Sequence, residues 1–239
     1  MTKRAKIHAV IVNHNTSAYV ELALRSLHKR HADDLDLAIT IVDNASTDDT
    51  SSLLAYADDR GIPVRQSGFT TDTASNSHGE VLRQFVLDHP DCDDYLFLDA
   101  DICFLEDDTI HAMLAELTTA EDAFAVGVRQ TWDGQDEIPA DIHQAIYYNR
   151  LHPCCALVRN TPLFRQVTDE IGFTGVKYCW VDGEKYLDTF ELMTRVMKTH
   201  GLRHLISPKM VYHFFSVSYD DRWMESKNQR RDALLASLR

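Results

Sequence analysis

Apolar and polar residues fall in blocks along this chain. Short β-branched runs are each followed by a longer segment whose apolar residues recur at helical spacing. Ala9-Val10-Ile11-Val12-Asn13 is the first short run and reads as a buried strand ending on a polar residue. Asn15-Thr16-Ser17 then offers helix caps, and Val20, Leu22, Leu24 and Leu27 predict a helix to about Lys29. AITIVDN, Ala38 to Asn44, repeats the theme, with Ser46-Thr47-Asp48 opening a second helix that carries Leu53, Leu54 and Tyr56. Pro63-Val64-Arg65 predicts a short third strand, GFTTDTASNSHGE a polar loop, and Glu80 to about Leu87 a third helix. The strand after it ends at Asp99.

This β-α-β-α-β-α-β order predicts a single α/β domain, a Rossmann-like open and mostly parallel sheet with helices on both faces. Such sheets bind ligands beyond the carboxyl ends of their strands. Those ends read Asn13-His14-Asn15, Asp43-Asn44 and Asp99-Ala100-Asp101. Ordinary caps and turns account for any one of them; three together point to a site. The second half is less regular. Ala123 to Val128 and Cys154 to Val158 predict strands flanking the polar loop TWDGQDEIPADIH. A capped helix is expected from about Thr189 to His200, stopping near Gly201. Arg203 to Ile206 and Met210 to Phe215 suggest a last pair of strands. There is no internal repeat, low-complexity tract or linker.

Composition narrows the function. The 239 residues suffice for one large α/β domain with a substantial core. A net charge of −13 argues against a nucleic-acid-binding face, which needs clustered Lys and Arg. It leaves anionic ligands open, because one divalent metal reverses the field of an acidic pocket. The cysteines (Cys92, Cys103, Cys154, Cys155, Cys179) are odd in number, lack CxxC spacing and mostly sit in apolar surroundings, which suggests reduced core thiols in a cytoplasmic protein. His152-Pro153-Cys154-Cys155 lacks the usual zinc-ligand spacing. No signal peptide is apparent, and no segment approaches the roughly 18 apolar residues of a membrane span, so a soluble protein is expected. The tail DRWMESKNQRRDALLASLR suits a helix docked on its own domain, ahead of contact with a membrane surface or another subunit.

YLFLDADICF, Tyr95 to Phe104, carries the sharpest chemical signal. Carboxylates inside buried sequence are costly unless something binds them. Residues i and i+2 of an extended backbone point to the same side, so Asp99 and Asp101 can converge beyond the strand end. Two hard oxygen ligands with an open remainder suit Mg²⁺ or Mn²⁺ held together with a ligand's phosphates. A turn-forming aspartate pair and a phospho-acceptor aspartate of the receiver-domain kind are the alternatives. The second fails on chain length and lacks a lysine-bearing strand end downstream.

AVIVNHNTSAYVELALRSL, then ITIVDNASTDDT, then YLFLDADICF resembles the nucleotide-binding half of family 2 glycosyltransferases with the GT-A fold. The resemblance is close over about residues 7–108 and looser beyond. It implies a nucleotide-sugar-binding half over residues 1–125, an acceptor-binding half over 126–215 and a helical tail over 216–239. It also implies that Asn13, Asn15 and Asp43 contact the base and ribose, that Asp99 lies near the ribose or metal, and that Asp101 holds the cation bridging the diphosphate. Ser77-His78-Gly79 matches a loop passing the nucleotide, where Gly79 permits close backbone approach and His78 can donate to phosphate; a plain surface loop is the alternative.

The activity so implied is metal-dependent transfer of a sugar from a nucleoside-diphosphate donor to a hydroxyl acceptor, with inversion. UDP is favoured because Asp43 suits a base N–H donor, although guanine presents one too. The acceptor is a glycan, a lipid-linked molecule or a small molecule. Displacement at the anomeric carbon needs a general base on the acceptor hydroxyl. KYLDTFELMTRVMKTHG resembles the family's base segment, although Asp188-Thr189 replaces the usual Glu-Asp. Asp188 is the first candidate base, Asp182 the second and Glu191 the third; a capping box formed by Asp188 and Glu191 is the competing reading. In many such enzymes a histidine after the acceptor helix completes the metal shell, and His213 corresponds in order. The Cys154-Cys155-Ala156 strand and the loop around Trp132 are expected to wall the donor sugar and acceptor. A sugar-phosphate nucleotidyltransferase would need a glycine-rich basic loop after the first strand, where this chain has HNTSAYVE. A non-catalytic nucleotide-sugar-binding protein would keep the aspartates and need no base.

Overall fold

The apolar runs become strands because each has two faces to bury. In the computed structural model, which describes residues 4–31, 35–69, 77–132, 150–180, 183–215, 217–218 and 223–238, β1 (Lys6–Asn13) turns Ile7, Ala9 and Ile11 to one side and Val10 and Val12 to the other. The first side packs on α1 (Ser17–Arg30), α2 (Ser51–Asp59) and α4 (Thr109–Thr119). The second packs on α3 (Ser77–Asp88), α5 (Pro162–Ile171) and α6 (Glu191–Thr199). The same alternation in β4 (Asp94–Leu98) sends Leu96 and Leu98 one way and Tyr95 and Phe97 the other. Complete burial of such side chains stabilises the fold by roughly 1.5–3 kcal/mol each, which is why these runs are apolar on both faces.

With β2 (Asp36–Asp43), β3 (Val64–Gln66), β5 (Ile102–Phe104), β6 (Ala123–Trp132), β7 (Cys155–Arg159) and β10 (Arg203–His213), these strands form one eight-stranded sheet of order β3-β2-β1-β4-β7-β6-β10-β5. Neighbours from β3 to β4 run parallel, as do β6 and β10; β7 and β5 are antiparallel to their neighbours. A small hairpin of β8 (Val176–Trp180) and β9 (Gly183–Leu187) stands apart. The register places Asn13 beside Asp43 and Ile11 beside Leu98, so three strands reach the same sheet edge together.

Several elements differ from the sequence pattern. The expected last pair of strands is the single strand β10, with a register shift between Ile206 and Met210. Pro208 lies in that gap and has no N–H for the ladder, so the strand bulges and resumes. Helix α6 starts at Glu191, after Thr189, because buried Phe190 takes a left-handed backbone, φ 68°. Helix α3 starts at Ser77, ahead of Glu80. Helices α4 and α5, strand β5 and the β8-β9 hairpin had no clear sequence signal, and residues 125 and 126 fall inside β6. The tail forms α7 (Met224–Ser237), whose Met224, Leu234 and Leu235 pack with Leu238 against Tyr19, Leu22, Tyr212 and Phe214. Among the described residues no helix is long and apolar enough to cross a membrane, and Cys92, Cys103, Cys154 and Cys155 are free thiols.

Candidate active site

At the end of β1 the Asn13 side chain is committed to the protein. Its Oδ1 accepts from Thr16 N and Oγ1 at 3.3 and 2.9 Å, and its Nδ2 donates to Ser17 Oγ at 3.0 Å and Asp43 Oδ1 at 3.2 Å. Asn13 therefore orients Asp43, the neighbouring strand end, and has little capacity left for a ligand. Gln66 Nε2 holds the other Asp43 oxygen at 3.1 Å. A carboxylate has about four acceptor positions, so Asp43 keeps room for a further donor. Asn15, also left-handed at φ 55°, accepts from Thr47 N and Oγ1 at 2.7 and 3.1 Å and ties down the loop after β2. Asp48 in that loop accepts from Ser17 N and Oγ at 2.9 and 3.1 Å, capping α1 from outside its own segment.

Beyond β4 the chain turns at Asp99 and re-enters the sheet as β5, which pairs antiparallel with β10: Ile102 lies opposite His213, and Phe214 N donates to Asp101 O at 2.9 Å. This ladder brings residues distant in sequence together. His213 Nε2 lies 3.2 Å from Asp101 Oδ1 and 3.7 Å from Asp99 Oδ2, and one donor atom from each residue falls within 4.8 Å of the others. His213 Nδ1 is 2.7 Å from Gln130 Oε1. An amide oxygen only accepts, so Nδ1 carries a proton and Nε2 faces the carboxylates. Three acceptors facing one another need positive charge among them. A second proton on the imidazole or a divalent cation supplies it, and the O, O, N donor set fits the cation. Burial pushes the Asp99 carboxyl above its ordinary pKa, against the pull of His213, His78 and Arg150.

His78 thus acts electrostatically on Asp99 from the first turn of α3. Gly79 makes its close approach elsewhere: a Cβ there would lie 2.5 Å from both Cα and N of Thr174. On the other side of the site, Asp188 Oδ2 pairs with Arg150 Nη1 at 2.7 Å, while Oδ1 accepts from Thr189 N at 2.7 Å. Its side chain is 49% exposed, open enough to meet a substrate. Glu191 is less available, with Oε1 on Arg195 at 2.7 Å and Oε2 accepting from Asp188 N at 3.3 Å, one half of the expected capping box. Asp182 and the Trp132 side chain lie outside the described residues.

The family model for glycosyl transferase family 2 matches residues 9–174, more than half the chain. The chain belongs to this family. No curated protein matches the sequence. Among solved structures, mannosyltransferase PcManGT from Pyrobaculum calidifontis, in complex with GDP-Man and Mn2+, superposes with a TM-score of 0.62 at 15% identity, over 99% of this chain and 64% of its own. S. aureus TarS 1-349 in complex with UDP-GlcNAc gives 0.62 at 15% identity, over 98% of this chain and 71% of its own. Mycobacterium tuberculosis glucosyl-3-phosphoglycerate synthase, with Mn2+, UDP and phosphoglyceric acid, gives 0.54 at 15% identity, over 98% and 78%. At these identities the likeness establishes the fold, GT-A; this chain spans 64% of the mannosyltransferase's length.

Within this site, the sequence pattern did not point to Arg150 or Gln130. Arg150 had one available signal, a cation two residues before the His152-Pro153-Cys154-Cys155 run of an acidic chain. Gln130 had none, since its role appears only when β6 and β10 pair and set it near His213.

Proposed function

We propose that this transferase moves a sugar from a nucleoside-diphosphate donor to a hydroxyl acceptor, with a divalent cation held by Asp99, Asp101 and His213. The convergence of those three side chains at the sheet edge is the observation that carries the reading. When bound, Mg²⁺ or Mn²⁺ would neutralise charge developing on the departing diphosphate. Asp43, held by Asn13 and Gln66, accepts from the base or ribose; Asn15 orders the adjoining loop. UDP remains the favoured nucleotide, by the N–H donor argument given above. Arg150 brings positive charge toward Asp99, where a diphosphate would arrive.

The base assignment goes to Asp188, ahead of Asp182 and Glu191. An inverting displacement requires a carboxylate to take the acceptor's proton as the glycosidic bond forms. Asp188 is the most exposed described candidate, and Arg150 orients one of its oxygens. An arriving diphosphate competes for the same guanidinium, which would release Asp188 toward the acceptor.

The test is calorimetric titration of UDP and GDP into the full chain with and without Mn²⁺, repeated on Asp101→Asn. A neutral amide is a poor ligand for a hard cation. Asp101→Asn should therefore keep its melting temperature and lose at least about tenfold in metal-dependent nucleotide affinity. Unchanged affinity would remove Asp101 from the metal site. Nucleotide binding indifferent to metal in the parent protein would remove the site altogether.

A further inference from the structure

We propose that His152, Cys154 and His213 form a second metal-binding site, suited to a thiophilic cation such as Zn²⁺, which draws His213 away from the carboxylate pair. One donor atom from each of these residues lies within 4.8 Å of the others, and all three residues are buried. In the sequence, His152 and Cys154 form a set too small to hold zinc. The third ligand appears only in the fold, where the turn before β7 meets the end of β10.

The surroundings are those of a built site. The His152 and His213 rings meet edge to face with centroids 5.6 Å apart, an arrangement that lets two imidazoles turn toward one point. Phe215 packs on His213, 3.9 Å between ring centroids. His213 Nδ1 is fixed by Gln130, leaving Nε2 as the ligating atom, the kind of outer contact that sets a metal-bound imidazole's tautomer. His152 Nδ1 accepts only a long 3.2 Å contact from Cys154 N, a small loss against a metal–nitrogen bond. Zn–S and Zn–N bonds of about 2.3 and 2.0 Å require the donors to close by roughly 1 Å, within reach of side-chain rotation.

The two sites differ in chemistry and share one ligand. Asp99 and Asp101 are hard oxygens suited to Mg²⁺ or Mn²⁺; a thiolate selects softer cations. Cys154 O accepts from Asp99 N at 3.0 Å, so the sulfur and carboxylate sites adjoin. On binding, the Cys154 S–H bond gives way to a sulfur–metal bond, the proton leaves to solvent, and no electrons change hands. The competition, though not the second site itself, rests on the function proposed above.

Cobalt(II) is the probe, because thiolate ligation produces a ligand-to-metal charge-transfer band that oxygen and nitrogen ligands do not. Titration of Co²⁺ into the full chain should raise this band, and Zn²⁺ should bleach it. Cys154→Ser should abolish it, Cys155→Ser should keep it, and His152→Ala should weaken cobalt affinity at least about tenfold. Asp101→Asn should keep the band while losing Mn²⁺-dependent nucleotide binding, so failure of either site can be told from failure of the other. No band in the parent protein overturns the proposal, as does a band surviving in folded Cys154→Ser. Should Cys154→Ser fail to fold, an unaltered cobalt affinity in His152→Ala overturns it instead.

Discussion

Replacing Gly79 by alanine sets two effects of known sign against each other. Gly79 lies in the first turn of α3, where alanine is the better helix former by at most about 1 kcal/mol. Against that, the new Cβ would lie 2.5 Å from Thr174 Cα, 2.5 Å from its N and 2.8 Å from its Oγ1. Two of these are main-chain atoms, which no rotamer change can move aside, so the first turn of α3 or the segment before β8 must shift. Overpacking of this kind costs roughly 1–3 kcal/mol. The collision wins, and Gly79→Ala should be less stable by about 1–2 kcal/mol, lowering the melting temperature by roughly 2–8 °C for a chain of this size. Urea unfolding followed by circular dichroism measures it. Thr174→Ala in the same chain removes only the Oγ1 contact and should not rescue the loss. A melting temperature equal to or above the parent's, or full rescue by Thr174→Ala, would refute the reasoning.

Asp188→Asn keeps the shape of the side chain and should bind nucleotide normally while donor turnover falls at least about a hundredfold; near-normal turnover would demote Asp188 to a helix-start residue. Burial at the start of β4 pushes Asp94 up to about 6, with Arg159 opposing and Asp93 adding. The folded chain therefore binds a proton that the unfolded chain releases, and stability falls as pH rises from about 4 to about 6. Asp94→Asn should flatten that slope and stabilise the protein at pH 7 by as much as about 3 kcal/mol, with little gain at pH 4; equal effects at both values in chemical denaturation would contradict this.

The first half of the fold was legible because β1 and the second half of β2 are buried on both faces and each of these strands is followed by an amphipathic helix. Val10, Ile11 and Val12 declare a strand whatever surrounds them. The second half hid its structure. β10 looked like two strands because Pro208 interrupts its ladder, and α6 started late because Phe190 trades backbone comfort for a place in the core. In the candidate site, Asp99 and Asp101 stood out as carboxylates in apolar sequence. Asn13 was noticed for the right position, but its hydrogen bonds to Thr16, Ser17 and Asp43 could be known only from the folded chain. Gln130 and Arg150 depend on pairings made by distant segments.

Phe190 carries one more consequence. Its left-handed backbone costs of order 1 kcal/mol or more for a residue with a side chain, and the structure holds it there by packing the ring 5.0 Å from Phe97 and 4.5 Å from Phe173. Phe97 stands two residues before Asp99 on β4, and Phe190 two residues after Asp188. The ring stack is therefore a spacer, a length of hydrocarbon that sets how far Asp99 stands from Asp188. The chemistry proposed for this crevice rests on carboxylates, but the span between them is specified by aromatic thickness. An alteration at Phe173, which touches neither end, would change the working distance of the site while leaving every reactive group chemically unaltered.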